Sequence, residues 1–284
     1  MSEIETRRSK AFILNHIGLG DEITIIGMAR YFLTLYEKIF LVCDKKNELN
    51  VKLFFKDDYP KIEIYVVDLN YPVHVKPDDL GRHFGFSNKP NSTFEYNGEI
   101  YDLINVGMYG PINSSAATIP FNFYDDLKLP YNIFWDYSHI PDTEQGKELY
   151  EFVKDIDYII IHANSSYGIS FTVEEIENKM KIDRNSTLIL DIEKNVYDIN
   201  HPFYEKAQKF VMQPILFYKD SLINASQIFV SDSCLFCMAI QLDIKTEKCY
   251  IIERSRGYRN HYSYIFSEKY NFNPLKTRKF TFPF

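Results

Sequence analysis

Three short polar stretches each stand directly behind an apolar run, the place where an α/β chain exposes its chemistry. The first is His16-Ile-Gly18-Leu-Gly20-Asp21-Glu22, behind Ala11-Phe-Ile-Leu. Its glycines allow a sharp turn and a close approach of ligand to backbone. A helix opening there offers unpaired N–H groups and a partial positive charge to an anion. Asp21 or Glu22, held at its mouth, can act as a general base; Asp21 equally suits the plainer role of a helix N-cap. The dinucleotide fingerprint G-x-G-x-x-G fails, because its third position falls on Ile23, and no Gly-Lys-Ser/Thr supplies a P-loop.

The second stretch is His162-Ala-Asn164-Ser165-Ser166, behind Tyr158-Ile-Ile-Ile. Hydroxyl and amide side chains there can bind phosphate or sugar hydroxyls, and His162 can donate to a diphosphate; an ordinary polar turn is the alternative. The third is Ser231-Asp232-Ser233-Cys234, which ends the run Gln227-Ile-Phe-Val and opens an apolar helix. It can cradle a phosphate or simply cap the helix.

Other candidates carry less. Cys234-x-x-Cys237 has redox spacing but no second pair for zinc, and its helical setting reads as buried thiols. Asp155-Ile-Asp157 has the spacing of a metal–nucleotide site but precedes a strand instead of following one. Arg254, Arg256 and Arg259 follow the run Cys249-Tyr-Ile-Ile and suit either phosphate or solvent. No histidine spacing suits a zinc hydrolase and no Gly-x-Ser-x-Gly elbow is present. The expectation is a protein with no metal site.

The elements that must position these residues alternate. Apolar runs at 11–14 and 39–43 flank the glycine turn and a helix over 22–36, in which Ile23, Ile26, Ala29, Leu33 and Tyr36 share a face with Arg30. Strand, turn, helix, strand is a βαβ unit, and such crossovers imply a parallel sheet. A short helix over 47–55, a strand over 62–67, a long loop over 70–98, a strand over 101–106 and a helix over 121–127 follow. After a polar helix at 143–154 the rhythm restarts, with strands at 158–162, 187–191, 227–230 and 249–253. Helices lie between them over 203–224, broken near Pro214, and from Ser231 to Leu242. This alternation predicts two α/β domains, 1–145 and 146–284.

Composition narrows the class. The 284 residues are 45% apolar and 25% charged, with a formal charge of −7, so neither a disordered chain nor a nucleic-acid partner is expected. No run approaches the ~20 apolar residues of a membrane span, and Met1-Ser-Glu-Ile-Glu-Thr-Arg-Arg lacks the apolar core of a signal peptide. Four scattered cysteines suit a reducing cytoplasm. The 22 tyrosines and 23 phenylalanines, with many Asn, Ile and Lys, read first as the codon bias of an AT-rich genome, whether a low-GC bacterium or a large virus.

Gly18-Leu-Gly20-Asp21, followed by Gly27-Met-Ala-Arg30-Tyr31, resembles the N-terminal loop of GT-B glycosyltransferases of the heptosyltransferase kind, and of short glycosyltransferase-like proteins of bacteria and large DNA viruses. Ala225-Ser-Gln-Ile-Phe-Val-Ser231-Asp232-Ser233 before an apolar helix resembles that family's C-terminal signature, and His162 to Ser166 the turn that opens its second domain. The resemblance implies a GT-B-like fold, two Rossmann-type domains with parallel sheets facing across a cleft. It implies an inverting, metal-independent sugar transfer with no cofactor besides the nucleotide-sugar donor. Asp21 would be the base that deprotonates a glycan or other hydroxyl acceptor. His16, Gly18, Gly20, His162, Ser165, Ser166, Ser231, Asp232 and Ser233 would contact substrates. The chain departs from the pattern where Cys234-Leu-Phe-Cys replaces a glycine-rich stretch. A non-catalytic nucleotide or glycan binder and a sugar-nucleotide epimerase of the same fold are the alternatives.

Overall fold

The computed structural model describes residues 8–68, 92–107, 119–165, 168–169, 171–231, 233–252 and 272–274. The chain divides after Pro141 into two units, Met1–Pro141 and Asp142–Phe284. Each is an α/β unit built on a five-stranded sheet.

In the first unit the strands are β1 (Arg8–Leu14), β2 (Tyr36–Asp44), β3 (Ile62–Val67), β4 (Ser92–Tyr96) and β5 (Glu99–Asn105), in the order β3-β2-β1-β5-β4. All pairs are parallel except the β4–β5 hairpin. Ala11 to Leu14 are buried, which is why the centre of β1 reads as a continuous apolar run and not as an alternation. One face of this sheet is largely aromatic. Phe12 stacks on Phe40 at 4.8 Å, and the rings of Tyr65, Phe94, Tyr96 and Tyr101 meet Phe12 edge-on. The aromatic excess of the composition therefore serves packing here.

The helix expected over 22–36 is two shorter ones, α1 (Leu19–Thr24) and α2 (Ile26–Phe32), and Tyr36 belongs to β2. The break falls within Ile23-Thr24-Ile25-Ile26, four β-branched residues with restricted side chains. The Thr24 hydroxyl also donates to Gly20 O at 2.8 Å, a back-bond that bends helices. Ile23, Ile26 and Ala29 are buried as their spacing predicts. Arg30 is accommodated by Asp58, whose carboxylate accepts from Nε and Nη2 at 2.8–3.1 Å.

The loop expected over 70–98 is corrected at its end: 92–96 form β4, and Asn97-Gly98 makes the turn into β5. Both turn residues have positive φ, 53° and 77°, as the two-residue hairpin turn that matches strand twist requires. Residues 69–91 lie outside the described residues.

In the second unit β6 (Tyr158–His162), β9 (Leu188–Asp191), β10 (Gln227–Ser231), β11 (Cys249–Ile252) and β12 (Phe272–Pro274) form an all-parallel sheet in the order β12-β11-β10-β6-β9. A two-residue ladder joins β7 (Asn164–Ser165) to β8 (Gly168–Ile169). The helix Val173–Met180 was not expected, although its start carries a capping box between Thr172 and Glu175. The segment around Pro214 breaks as expected, into Tyr204–Lys209, a 3-10 turn Ile215–Tyr218 and Lys219–Asn224. The helix after Ser233 runs Cys234–Ala239 and stops short of Leu242. No helix among the described residues is long and apolar enough to cross a membrane.

Candidate functional site

In open parallel sheets, ligands bind beyond the carboxyl ends of the strands, where the strand order reverses. In the first unit that point lies between β1 and β5; in the second it lies between β6 and β10. At each, a histidine following or ending the first strand reaches across. His16 Nε2 is 2.7 Å from Gly107 O, and His162 Nδ1 is 2.8 Å from Ser233 Oγ.

The loop after β1 is held by buried polar groups. Asn15 Oδ1 accepts from Ile17 N at 2.5 Å, and Asn47 Nδ2 donates to Ile17 O at 3.1 Å. Between them Ile17 is forced to φ 51°, a conformation unusual for a β-branched residue and one found where a site over-determines its backbone. The sharp turn expected from the glycines is thus made by Ile17. Gly18 is the extended N-cap of α1, and Gly20 lies within the helix.

Asp21 is the third residue of α1 and not its N-cap. Its half-buried carboxylate folds back over Gly18, where a β-carbon would stand 2.6 Å from Oδ2. Glu22 points inward. It is 1% exposed and neither carboxyl oxygen has a hydrogen-bond partner among the described residues. Burial holds its carboxyl well above the usual carboxylate range; the Asn15 amide pulls the other way and the Asp21 charge pushes further up. Burial thus favours the protonated form of Glu22, and of the two adjacent acids the half-buried Asp21 is the one suited to accept a proton.

In the second unit three neighbouring strands end in buried polar side chains: His162 on β6, Asp191 on β9 and Ser231 on β10. Ser231 Oγ donates to Asn164 O at 2.6 Å, so its hydroxyl holds the following turn. Ser233 is half-buried and touches His162. Ser165 lies on β7, whereas Ser166 and Asp232 lie outside the described residues, as do Arg254, Arg256 and Arg259.

Sequence reasoning missed Glu193. Its Oε1 stands 3.6 Å from His162 Nε2, and its N–H donates to Asp191 Oδ1 at 3.0 Å. Burial would raise its carboxyl pKa, but His162, Asn164 and Lys194 together bring it below the ordinary value. Burial raises Asp191 instead. The signal was present, because Glu193 follows a strand end as the singled-out residues do.

Cys234 and Cys249 are thiols pushed up to about 12 by burial, and no disulfide joins any of the four cysteines. Asp155 and Asp157 are exposed. No cluster of three or more His, Cys, Asp or Glu side chains among the described residues is arranged to hold a metal ion.

No family model matches the chain, and no curated protein matches it significantly. Two solved structures are similar in architecture. A glycosyl transferase family 9 protein from Veillonella parvula DSM 2008 aligns over 87% of this chain and 80% of its own, at 11% identity and a TM-score of 0.47. The bacterial iron-containing dodecameric glycosyltransferase TibC from enterotoxigenic E. coli H10407 aligns over 87% of this chain at 14% identity and a TM-score of 0.49; the chain spans 58% of that protein.

Proposed function

We propose that this protein is a metal-independent, inverting glycosyltransferase of GT-B type that moves a sugar from a nucleotide-sugar donor to a hydroxyl acceptor. The observation that carries this reading is the pair of polar switch points, with the half-buried carboxylate of Asp21 beside the first and His162 with Ser233 at the second. The sequence resemblance assigns these same residues to the reaction.

In this reading Asp21 takes the proton of the acceptor hydroxyl. The acceptor oxygen attacks the anomeric carbon as the bond to the diphosphate breaks, and the leaving diphosphate carries away the electron pair. His16 and the Gly18 backbone border the acceptor. His162 and Ser233 border the donor, and Ser231 supports their loop; the resemblance adds Ser165, Ser166 and Asp232 to the donor contacts. Polar groups set in advance where charge develops stabilise the transition state without reorganising.

The test is a thermal-shift screen against UDP, GDP, ADP, CMP and their sugars, with and without EDTA, followed by turnover of Asp21→Asn. A ligand that binds the folded state raises the melting temperature by mass action. The expected result is one nucleotide class shifting the protein irrespective of EDTA. Asp21→Asn should retain that shift while losing about 10²–10⁴-fold in turnover, the usual weight of a general base. Unchanged turnover in Asp21→Asn rejects the assignment.

A further inference from the structure

The two ring nitrogens of His162 face different partners. Nδ1 is 2.8 Å from Ser233 Oγ, and Nε2 is 3.6 Å from Glu193 Oε1. The three residues lie at or just beyond the carboxyl ends of three neighbouring strands, β10, β6 and β9. A carboxylate beside Nε2 favours a proton on that nitrogen. In the neutral ring Nδ1 is then an acceptor, and the single proton of Ser233 must point at it. A hydroxyl spent this way presents only lone pairs to a phosphate oxygen and cannot bind it. If Nδ1 is also protonated, the bond reverses: Nδ1–H donates to Ser233 Oγ, and the serine proton is released to the ligand.

We propose that Ser233 binds the diphosphate of the donor only together with a proton on His162, and that Glu193 is the positioning residue that orients the ring and stabilises its charged form. This rests on the donor-site reading above. The surroundings favour it. Asp191 and Glu193 stand beside the ring, and among the described residues Lys194 is a cation near both carboxyls. Among the described residues, Cys234 and Tyr218 are further titratable groups around Asp191 and Glu193, and burial raises both. An anion entering here without the proton would meet two carboxyls across a neutral ring. With it, an imidazolium lies between them.

The test is the side-chain nitrogen NMR spectrum of His162, assigned by comparison with His162→Gln, at about pH 7.5 with and without inorganic pyrophosphate. The expected result is a neutral Nε2–H ring in the ligand-free protein and a doubly protonated ring in the saturated complex. Glu193→Gln should weaken pyrophosphate about tenfold at that pH, the effect of removing one nearby opposite charge, and the deficit should close as the pH falls towards about 5.5. An Nδ1–H tautomer in the ligand-free protein, a neutral ring in the complex, or a deficit independent of pH overturns the inference and leaves the donor site standing. If neither pyrophosphate nor any nucleoside diphosphate binds, the donor-site reading falls and this inference falls with it.

Discussion

The carboxylate of Asp21 fills the space in front of Gly18, so that a β-carbon on Gly18 would stand 2.6 Å from Asp21 Oδ2. Gly18 has φ −72° and ψ 146°, a conformation open to any residue. Its requirement is therefore for space at the carboxylate and not for backbone freedom.

Gly18→Ala consequently separates function from folding. The methyl group displaces the Asp21 carboxylate while the backbone keeps its course. Displacement of a catalytic group by about 1 Å can cost about 10²-fold in rate. The expected outcome is a loss of turnover approaching that of Asp21→Asn, with a melting temperature close to wild type. Steady-state kinetics and a thermal melt decide it, and an alanine variant with full activity contradicts the role of Asp21.

Glu22 links stability to pH. Its carboxyl titrates higher in the folded protein than in the unfolded chain, so the folded state binds the extra proton. Its contribution is fully present below the unfolded value of 4.5 and is lost as the pH rises towards the folded value. Glu22→Gln keeps the neutral shape at every pH. The variant should match wild type near pH 4 and exceed it at pH 7 and above, the gap growing by at most ~1.4 kcal/mol per pH unit. Urea midpoints measured across that range provide the check; a gap that does not widen with pH shows that Glu22 ionises without penalty.

Ser231 reports on the turn that carries His162. Its buried hydroxyl bonds Asn164 O at 2.6 Å, and Ser231→Ala leaves that carbonyl without this donor. A loss of about 1–3 kcal/mol is expected from such a change, read from the denaturant midpoint. Nucleotide affinity should follow the change in folding alone.

The thiols should be inert. With burial pushing the thiols of Cys234 and Cys249 up to about 12, little of the reactive thiolate forms at pH 8. Iodoacetamide should leave both unmodified in the native protein and alkylate them once urea unfolds it, as peptide mass spectrometry would show. Rapid native labelling of Cys234 would mark it as a reactive residue.

Much of the local structure was legible. Ile62–Val67 and Tyr158–His162 are strands within their expected bounds, because short apolar runs with β-branched residues leave little else to form. The helical spacing over 22–36 runs on to Tyr36 because that residue continues the apolar period. In the fold Tyr36 instead opens β2, and its hydroxyl donates to Asp102 Oδ2 at 2.9 Å. The β4–β5 hairpin falls inside the loop expected over 70–98, although Asn97-Gly98 announces its turn.

What the amino-acid sequence determined by itself is which residues follow strands, because apolar runs and turn residues act over a few positions. That is enough to single out Asp21, His162 and Ser233. What only the tertiary structure decided is which of them meet and how deeply each is buried. His162 and Ser233 are 71 positions apart, and His16 and Gly107 are 91; their contact depends on strand order, which long-range packing sets. Asp21 and Glu22 are adjacent acids in the sequence. Folding leaves one half in water and seals the other where a charge loses its solvation, and that difference in burial assigns them different chemistry.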